Sequence, residues 1–192
     1  MKPAVASFYW AHIHGSKFVL DLGCDSGDLG RYKPEGVTVY GLDLNAAALD
    51  QAAQHEGVQV YDLDSYAPMP FPDSYFDAVV AKDILEHLQK PWSTLSEVLR
   101  VLKPGGIVLA SVISHRSHRV WSDYTHVRGF TMRSVRKMFT DVGLQVVDVW
   151  RMGGVPLTSH LNLIRLVPYL LCFPPFDWLW TSSYEIKAYK PH

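Results

Sequence analysis

Two groups of side chains in this sequence could do chemistry. The first is a set of carboxylates placed where apolar runs break: Asp21 within FVLDL, Asp25 in the glycine-punctuated segment that follows, and Asp43 at the end of VYGLD, about 22 residues after Asp21. Acids at the tips of neighbouring buried strands can offset a cationic ligand and can accept hydrogen bonds from a pair of ribose hydroxyls. The second is the polar segment SHRSHRVWSDYTHVRGFT, residues 114 to 131, which holds His115, His118, Asp123, Tyr124, His126 and Arg128. Histidine titrates near neutrality, so this segment can take a proton from a hydroxyl or an amine, with Asp123 able to orient an imidazole.

The elements that must carry these groups follow from periodicity. Val19, Leu20 and Leu22 read as a buried parallel strand, and Gly23 and Gly27 permit a sharp exit and close approach of backbone to a ligand. The dinucleotide fingerprint GxGxxG fails, because Asp25 stands two residues before Gly27 and would meet a pyrophosphate. That disfavours an NAD-dependent dehydrogenase. Asp43 has a second reading as a cap for the helix that begins near Asn45. We expect helices near 4–13, 45–55, 91–102 and 131–142. Strands are expected near 17–22, 37–42, 58–61, 76–81, 107–113, 144–150 and 183–190. This alternation predicts an α/β, doubly wound, mostly parallel sheet with its site at the strands' C-terminal edge.

VLDLGCDSGDLG, residues 19 to 30, resembles the first motif of the class I S-adenosylmethionine (SAM)-dependent methyltransferases of the type 11 domain family, with Asp25 in place of the middle glycine of a DxGxGxG-like loop. Asp tolerates left-handed backbone, so the turn can survive. VYGLDLN (39–45), the strand–loop–strand stretch 58–88 and RVLKPGGIVLASV (100–112) follow in family order. The resemblance therefore covers roughly residues 17 to 113. It implies a Rossmann-like sheet of seven strands and SAM as cofactor, with S-adenosylhomocysteine as product. It implies cofactor contacts at Asp21, Gly23, Cys24, Asp25, Gly27, Asp43, Leu44, Asp62, Leu63 and Lys82, with the adenine set against Asp62 and the Leu63 backbone. Asp123, Thr125, His126, Arg128, Phe130 and Thr131 match a DxTHxRxFT-like stretch found in related enzymes. On that resemblance His126 is the candidate base, Asp123 its orienting acid, and Asp83, with Glu86 and His87 beside it, part of the methyl-transfer wall. The plainer readings stay open: Asp123 and Thr125 can shape a turn, Thr131 can cap a helix, His126 can be structural, and Asp83 can be a helix cap. No metal is expected, because the loop histidines lack a fixed-scaffold spacing such as HExxH.

Composition agrees with one domain over residues 1–192: the chain is 48% hydrophobic and has no Pro/Ser-rich or charged linker. Lys plus Arg number 18 against 19 acids, a net charge of −1, which leaves no basic field for nucleic acid. Cys24 and Cys172 are lone cysteines, consistent with a reducing, cytoplasmic setting, and the N-terminal residues lack a signal peptide's succession. An apolar helical insert, about 152–182 with its core at 155–180, precedes the last strand. Arg165, Pro168, Pro174, Pro175 and Asp177 break it short of a membrane span. It has three readings: a lid, a homodimer contact, or a peripheral membrane dock. The expected function is methyl transfer from SAM to a small-molecule or lipid-linked acceptor, at oxygen. The alternative is a non-catalytic SAM-binding partner protein that uses the insert as an interaction surface.

Overall fold

In the computed structural model, which describes residues 3–55, 58–62, 68–153 and 181–192, the strands fall into the order β3-β2-β1-β4-β5-β7-β6. They are β1 (Phe18–Leu22), β2 (Thr38–Asp43), β3 (Val58–Asp62), β4 (Phe76–Lys82), β5 (Leu102–Ile113), β6 (Gln145–Gly153) and β7 (Thr181–Tyr189). The first five pair in parallel, and β7 runs antiparallel between β5 and β6. The chain winds outward one way through β1, β2 and β3 and then returns to β4 beside β1. The strand tips on either side of that reversal therefore diverge and leave a crevice at the parallel edge.

Period-two alternation in the central strands splits the core into two layers. Leu20, Leu22, Val79, Ala81, Val108 and Ala110 face α4 (Pro91–Val101) and α5 (Met132–Asp141). Val19, Val80 and Leu109 face the opposite way, onto α1 (Pro3–His12). Each helix presents the matching stripe: Leu95, Val98 and Val101 on α4, and Val135 and Phe139 on α5. Pro91 opens α4, and Thr131 with Ser134 forms a capping box at the start of α5, so Thr131 does cap. On α1, Tyr9 and Trp10 are buried, and the Trp10 indole donates to the Leu29 carbonyl at 3.2 Å.

Three features depart from the sequence expectation. A short helix α2 (Asp28–Arg31) follows the glycine loop and a 3₁₀ turn spans His118–Trp121. Lys103 to Gly106, expected as a turn, lies within β5: Phe76 pairs with Leu102 and Ala78 with Ile107, which leaves those four residues as a bulge. The reason is that their backbone finds partners at the exit of β7, where Gly105 N donates to Lys190 O and Lys190 N to Gly106 O. The apolar segment 155–180 lies outside the described residues. Met152 and Thr181, at the margins of the expected insert, belong to β6 and β7. No helix among the described residues is long and apolar enough to cross a membrane.

Candidate functional site

The crevice between β1, β2 and β4 holds a cavity of about 870 Å³. Its floor is the glycine loop. Gly23 N and Cys24 N both donate to Leu42 O, at 2.8 and 3.1 Å, which turns the chain off β1 and across the tip of β2. Gly23, Asp25 and Gly27 all have left-handed backbone, with φ of 75°, 44° and 77°, so Asp25 takes up the conformation expected of it. At Gly27 a Cβ would lie 2.8 Å from Ala52 Cβ and 2.9 Å from Ala52 Cα, so α3 (Ala46–Ala52) can approach only a glycine. Asp43 braces this loop: its Oδ2 accepts from Asp25 N at 2.8 Å and its Oδ1 from Asn45 N at 2.9 Å. The cap of α3 is Asn45, whose side chain accepts from Ala47 N and Ala48 N, so the capping alternative for Asp43 falls. Each Asp43 oxygen keeps a lone pair for a ligand hydroxyl.

Charge is lopsided here. Asp21, Asp25, Asp28, Asp43, Asp83 and Asp123 line the cavity, and Lys82 is the one lysine or arginine among the described lining residues. Asp21 is 3% exposed, and burial, followed by repulsion from Asp43, pushes its pKa up to about 7. Burial also pushes the Cys24 thiol up, which makes Cys24 a wall rather than a nucleophile. Leu44 stands exposed at the rim. Asp62 ends β3 in register with Asp43, and Leu63 lies outside the described residues.

A second cavity of about 300 Å³ adjoins the first, and Asp83 and Asp123 line both. Asp83 follows β4 with a φ of 52°. Its carboxylate accepts from Lys82 Nζ and Ser111 Oγ, and its own N–H points to Ser111. A turn follows Asp83 and α4 starts only at Pro91, so Asp83 is not a helix cap. Lys82, Ser111 and Glu185 pair in one row across β4, β5 and β7. Below that row, Tyr9 Oη donates to Glu185 Oε2 at 2.9 Å. Burial pushes Glu185 up to about 7 and, with Glu185 itself, raises the Tyr9 phenol.

The loop after β5 supplies the facing wall. His126 Nδ1 lies 3.2 Å from Val120 O, which can only accept, so Nδ1 carries a proton and the neutral ring has its lone pair on Nε2. Asp123 Oδ2 is 3.9 Å from that Nε2. Thr125 Oγ1 donates to Asp123 Oδ1 at 2.6 Å and therefore accepts from His87 Nδ1 at 2.9 Å, which leaves His87 Nε2 unprotonated as well. The two imidazole centroids are 4.5 Å apart. Burial and His126 hold His87 below its ordinary pKa, and the bonds from Thr125 hold Asp123 below its own. His115 is turned elsewhere, with Nδ1 against Phe130 O at 3.0 Å.

Asp21, Gly23, Cys24, Asp25, Asp43, Leu44 and Lys82 thus share one cavity, and Gly27 sets the spacing behind it. Asp83 and Asp123 join it to the second cavity, which His126 lines. Sequence reasoning assigned no part to Thr125 in linking His87 and Asp123, or to the row of Ser111 and Glu185. Glu86 was named only as a neighbour of Asp83, yet it is 1% exposed and its Oε2 has no hydrogen-bond partner among the described residues. Its signal was the flanking pair Leu85 and Leu88, whose burial draws the turn inward.

Comparison with known proteins gives four findings. The profile of a methyltransferase domain matches residues 20–110. A ubiquinone biosynthesis O-methyltransferase of Pseudomonas putida is 33% identical over 168 residues, spanning 77% of this chain and 72% of that one. Among solved structures, a SAM-dependent methyltransferase of Archaeoglobus fulgidus superposes with a TM-score of 0.76 at 21% identity, covering 98% of this chain and 92% of that one. The cyclase SpnF superposes with a TM-score of 0.72 at 17% identity, covering 98% and 81%, so the shared fold alone does not choose the reaction.

Two predictions follow from the site's construction. Asp21, Glu86 and Glu185 each have a pKa raised to about 7 by burial. Below the ordinary carboxylate range both folded and unfolded chains hold these protons. From there up to about pH 7 only the unfolded chain releases them, and above that the difference is constant. These acids should therefore make the ligand-free protein lose stability as pH rises from about 5 to 7, measured as the urea midpoint, and Asp21→Asn should flatten the slope. An unchanged slope in Asp21→Asn would assign the effect elsewhere. Gly27→Ala combines a left-handed backbone with an overlap on α3 and should destabilise the fold by about 1–3 kcal/mol in the same titration.

Proposed function

This chain belongs to the class I SAM-dependent methyltransferases, and on that premise we propose that it methylates a hydroxyl oxygen of a small-molecule or lipid-linked acceptor, using His126 as base. One observation carries the reading: Asp83 and Asp123 are walls of both an acid-lined cavity and a smaller polar one that contains His126. Two ligands held in these cavities meet at a shared boundary, as a transfer between them requires. The name of the P. putida relative, an O-methyltransferase, supports oxygen as the atom.

The larger cavity fits SAM by charge and by shape. Bound SAM brings a methyl group on a sulfonium, whose loss to a nucleophile discharges a cation. The residues do the rest. The six carboxylates against Lys82 favour a ligand with positive charge. The left-handed loop lets backbone approach closely. Asp43, already fixed by Asp25 N and Asn45 N, offers its remaining lone pairs to ribose hydroxyls. Asp21, Gly23, Cys24, Asp25, Leu44 and Lys82 complete the cradle in this reading.

On the acceptor side, His126 Nε2 would take the proton of the acceptor hydroxyl as its oxygen receives the methyl group, with the sulfonium leaving as the neutral thioether. The proton ends on an imidazolium, which Asp123 faces at 3.9 Å. The Val120 carbonyl fixes the tautomer, and the His87–Thr125–Asp123 chain fixes the acid. His87, Asp123 and His126 bring ligand atoms within 4.8 Å of one another. We read them as a proton-handling set: the Thr125 hydroxyl links His87 Nδ1 to Asp123 Oδ1, which orients the acid toward His126.

Calorimetry with SAM and S-adenosylhomocysteine should give binding near the micromolar range, lost in Asp43→Ala; failure of both ligands to bind the parent protein would end this reading. With transfer of labelled methyl from SAM to a panel of phenols, with and without an isoprenoid tail, as the assay, His126→Ala should keep SAM affinity and lose turnover by about 100-fold. Undiminished turnover would remove His126 from the mechanism. Prior treatment with EDTA should leave the rate unaltered, and a loss restored by added Mg²⁺ or Zn²⁺ would turn the His87–Asp123–His126 set into a metal site.

A further inference from the structure

A third cavity, of about 810 Å³, lies between α4 and α5 and shares no lining residue with the two already described. Its walls are mostly apolar: the indole of Trp92, which is 48% exposed, and the side chains of Phe130, Met138 and Val142. The polar side chains among the described lining residues are already matched, with one exception. Ser96 Oγ donates to Trp92 O at 3.0 Å, Ser134 belongs to the capping box of α5, and Lys137 Nζ donates to both oxygens of Asp141 at 2.8 Å. The exception is the half-buried Arg128. Its Nη2 donates to Gln89 O at 2.7 Å, and its guanidinium lies over the Trp92 ring, 5.7 Å from the centroid. It forms no ion pair with a described residue. Its Nε is sealed without an acceptor among the described residues, whereas Nη1, also without one, is not sealed.

We propose that this cavity is a second ligand site, one that takes a flat apolar body carrying a carboxylate: the body against Trp92, Met138 and Val142, the carboxylate on Arg128 Nη1. Apolar walls with a single uncommitted polar group are the usual make-up of a small-molecule site, in which the walls supply affinity and the polar group fixes orientation. Charge decides which polar group the ligand brings. Lys137 and Asp141 cancel each other, so the uncompensated charge in the cavity is the Arg128 cation. A guanidinium whose Nε–H is cut off from both water and acceptors gains most from an anion at the nitrogen still open. A cationic ligand would be repelled, and a neutral one would leave Arg128 unpaired. The charge is also held in place before a ligand arrives. Trp92 supports the guanidinium through its ring face. Backbone bonds clamp the loop on either side of Arg128, where Val127 N donates to Glu86 O at 3.0 Å and Phe130 N to Ile113 O at 2.9 Å. Such prior ordering lowers the cost of binding. The volume accommodates two fused rings together with the acid group. None of this depends on the methyl-transfer reading.

The probes are 2-naphthoate and 2-naphthamide, nearly equal in size and shape, one anionic and the other neutral. In ¹H–¹⁵N NMR titrations near neutral pH the indole N–H resonance of Trp92, assigned by its loss in Trp92→Phe, reports occupation of the cavity. 2-Naphthoate should move that resonance and bind at least about tenfold tighter than 2-naphthamide. In Arg128→Gln the two probes should bind alike, with 2-naphthamide bound as in the parent protein. Trp92→Ala should weaken both by about the same factor, since it removes the ring on which either body rests. Saturating S-adenosylhomocysteine should leave the affinity for 2-naphthoate within about twofold, because the cavities share no lining residue. Equal binding of the two probes by the parent protein, a Trp92 resonance that 2-naphthoate does not move, a preference that survives in Arg128→Gln, or displacement of 2-naphthoate by S-adenosylhomocysteine would overturn the site. Should Arg128→Gln not fold, Trp92→Ala decides, since undiminished affinity in that variant places the ligand elsewhere. Failure of S-adenosylhomocysteine to bind would bring down the proposed function and leave this site standing.

Discussion

Too much negative charge is gathered at the parallel edge of this sheet, and most of the site's construction answers to that. Asp21, Glu86 and Glu185 are each less than a tenth exposed, and the cation drawn in among them is Lys82. Carboxyl groups in such surroundings either hold protons or wait for a cation to enter. In the proposed reading a sulfonium ligand offsets the imbalance on the Asp21 side. The acids also reach one another through structure: Lys82, Ser111 and Glu185 occupy one row, and Tyr9 closes it from the helix beneath.

Backbone conformation supplies what charge cannot. The loop after β1 and the exit of β4 use left-handed residues, at Gly23, Asp25, Gly27 and Asp83. At Gly23 and Gly27 a side chain would strike Ile84 and Ala52 respectively, so these are packing requirements as well as torsional ones. At Asp25 and Asp83 a non-glycine residue is held in a sparsely populated region, and in each case a partner carries the strain: Asp43 for the Asp25 N–H, Ser111 and Lys82 for the Asp83 carboxylate.

The sequence was most legible where one residue decides the geometry. The glycine loop, the strand-end position of Asp43 and the capping role of Thr131 all depend on local rules, and they were read as they stand. Helices and strands with clear periodicity fell within a few residues of their bounds. Illegible were the features decided by residues far away in the chain. Lys103 to Gly106 reads as a turn on its own and becomes a bulge because Lys190 offers it partners. Glu86 looks like an ordinary surface acid until Leu85, Leu88 and Ile113 bury it. The link between His87 and Asp123 runs through Thr125, about forty residues from His87 in sequence, and no local pattern announces it.

The antiparallel strand β7 enters the sheet between β5 and β6, the two strands that precede it in the chain. That ordering has a kinetic meaning. β1 to β5 can assemble by successive parallel crossovers, but β6 has no neighbour on the inner side until β7 arrives to bridge it to β5. The row through Ser111 is incomplete until Glu185 docks, and Ser182 and Ser183 close the smaller cavity from the same strand. In the proposed reading the half of the site that holds the cofactor can therefore form early, while the half that faces the acceptor depends on the last and longest-range pairing in the sheet. A chain caught between these stages would bind its methyl donor without yet having anywhere to deliver it.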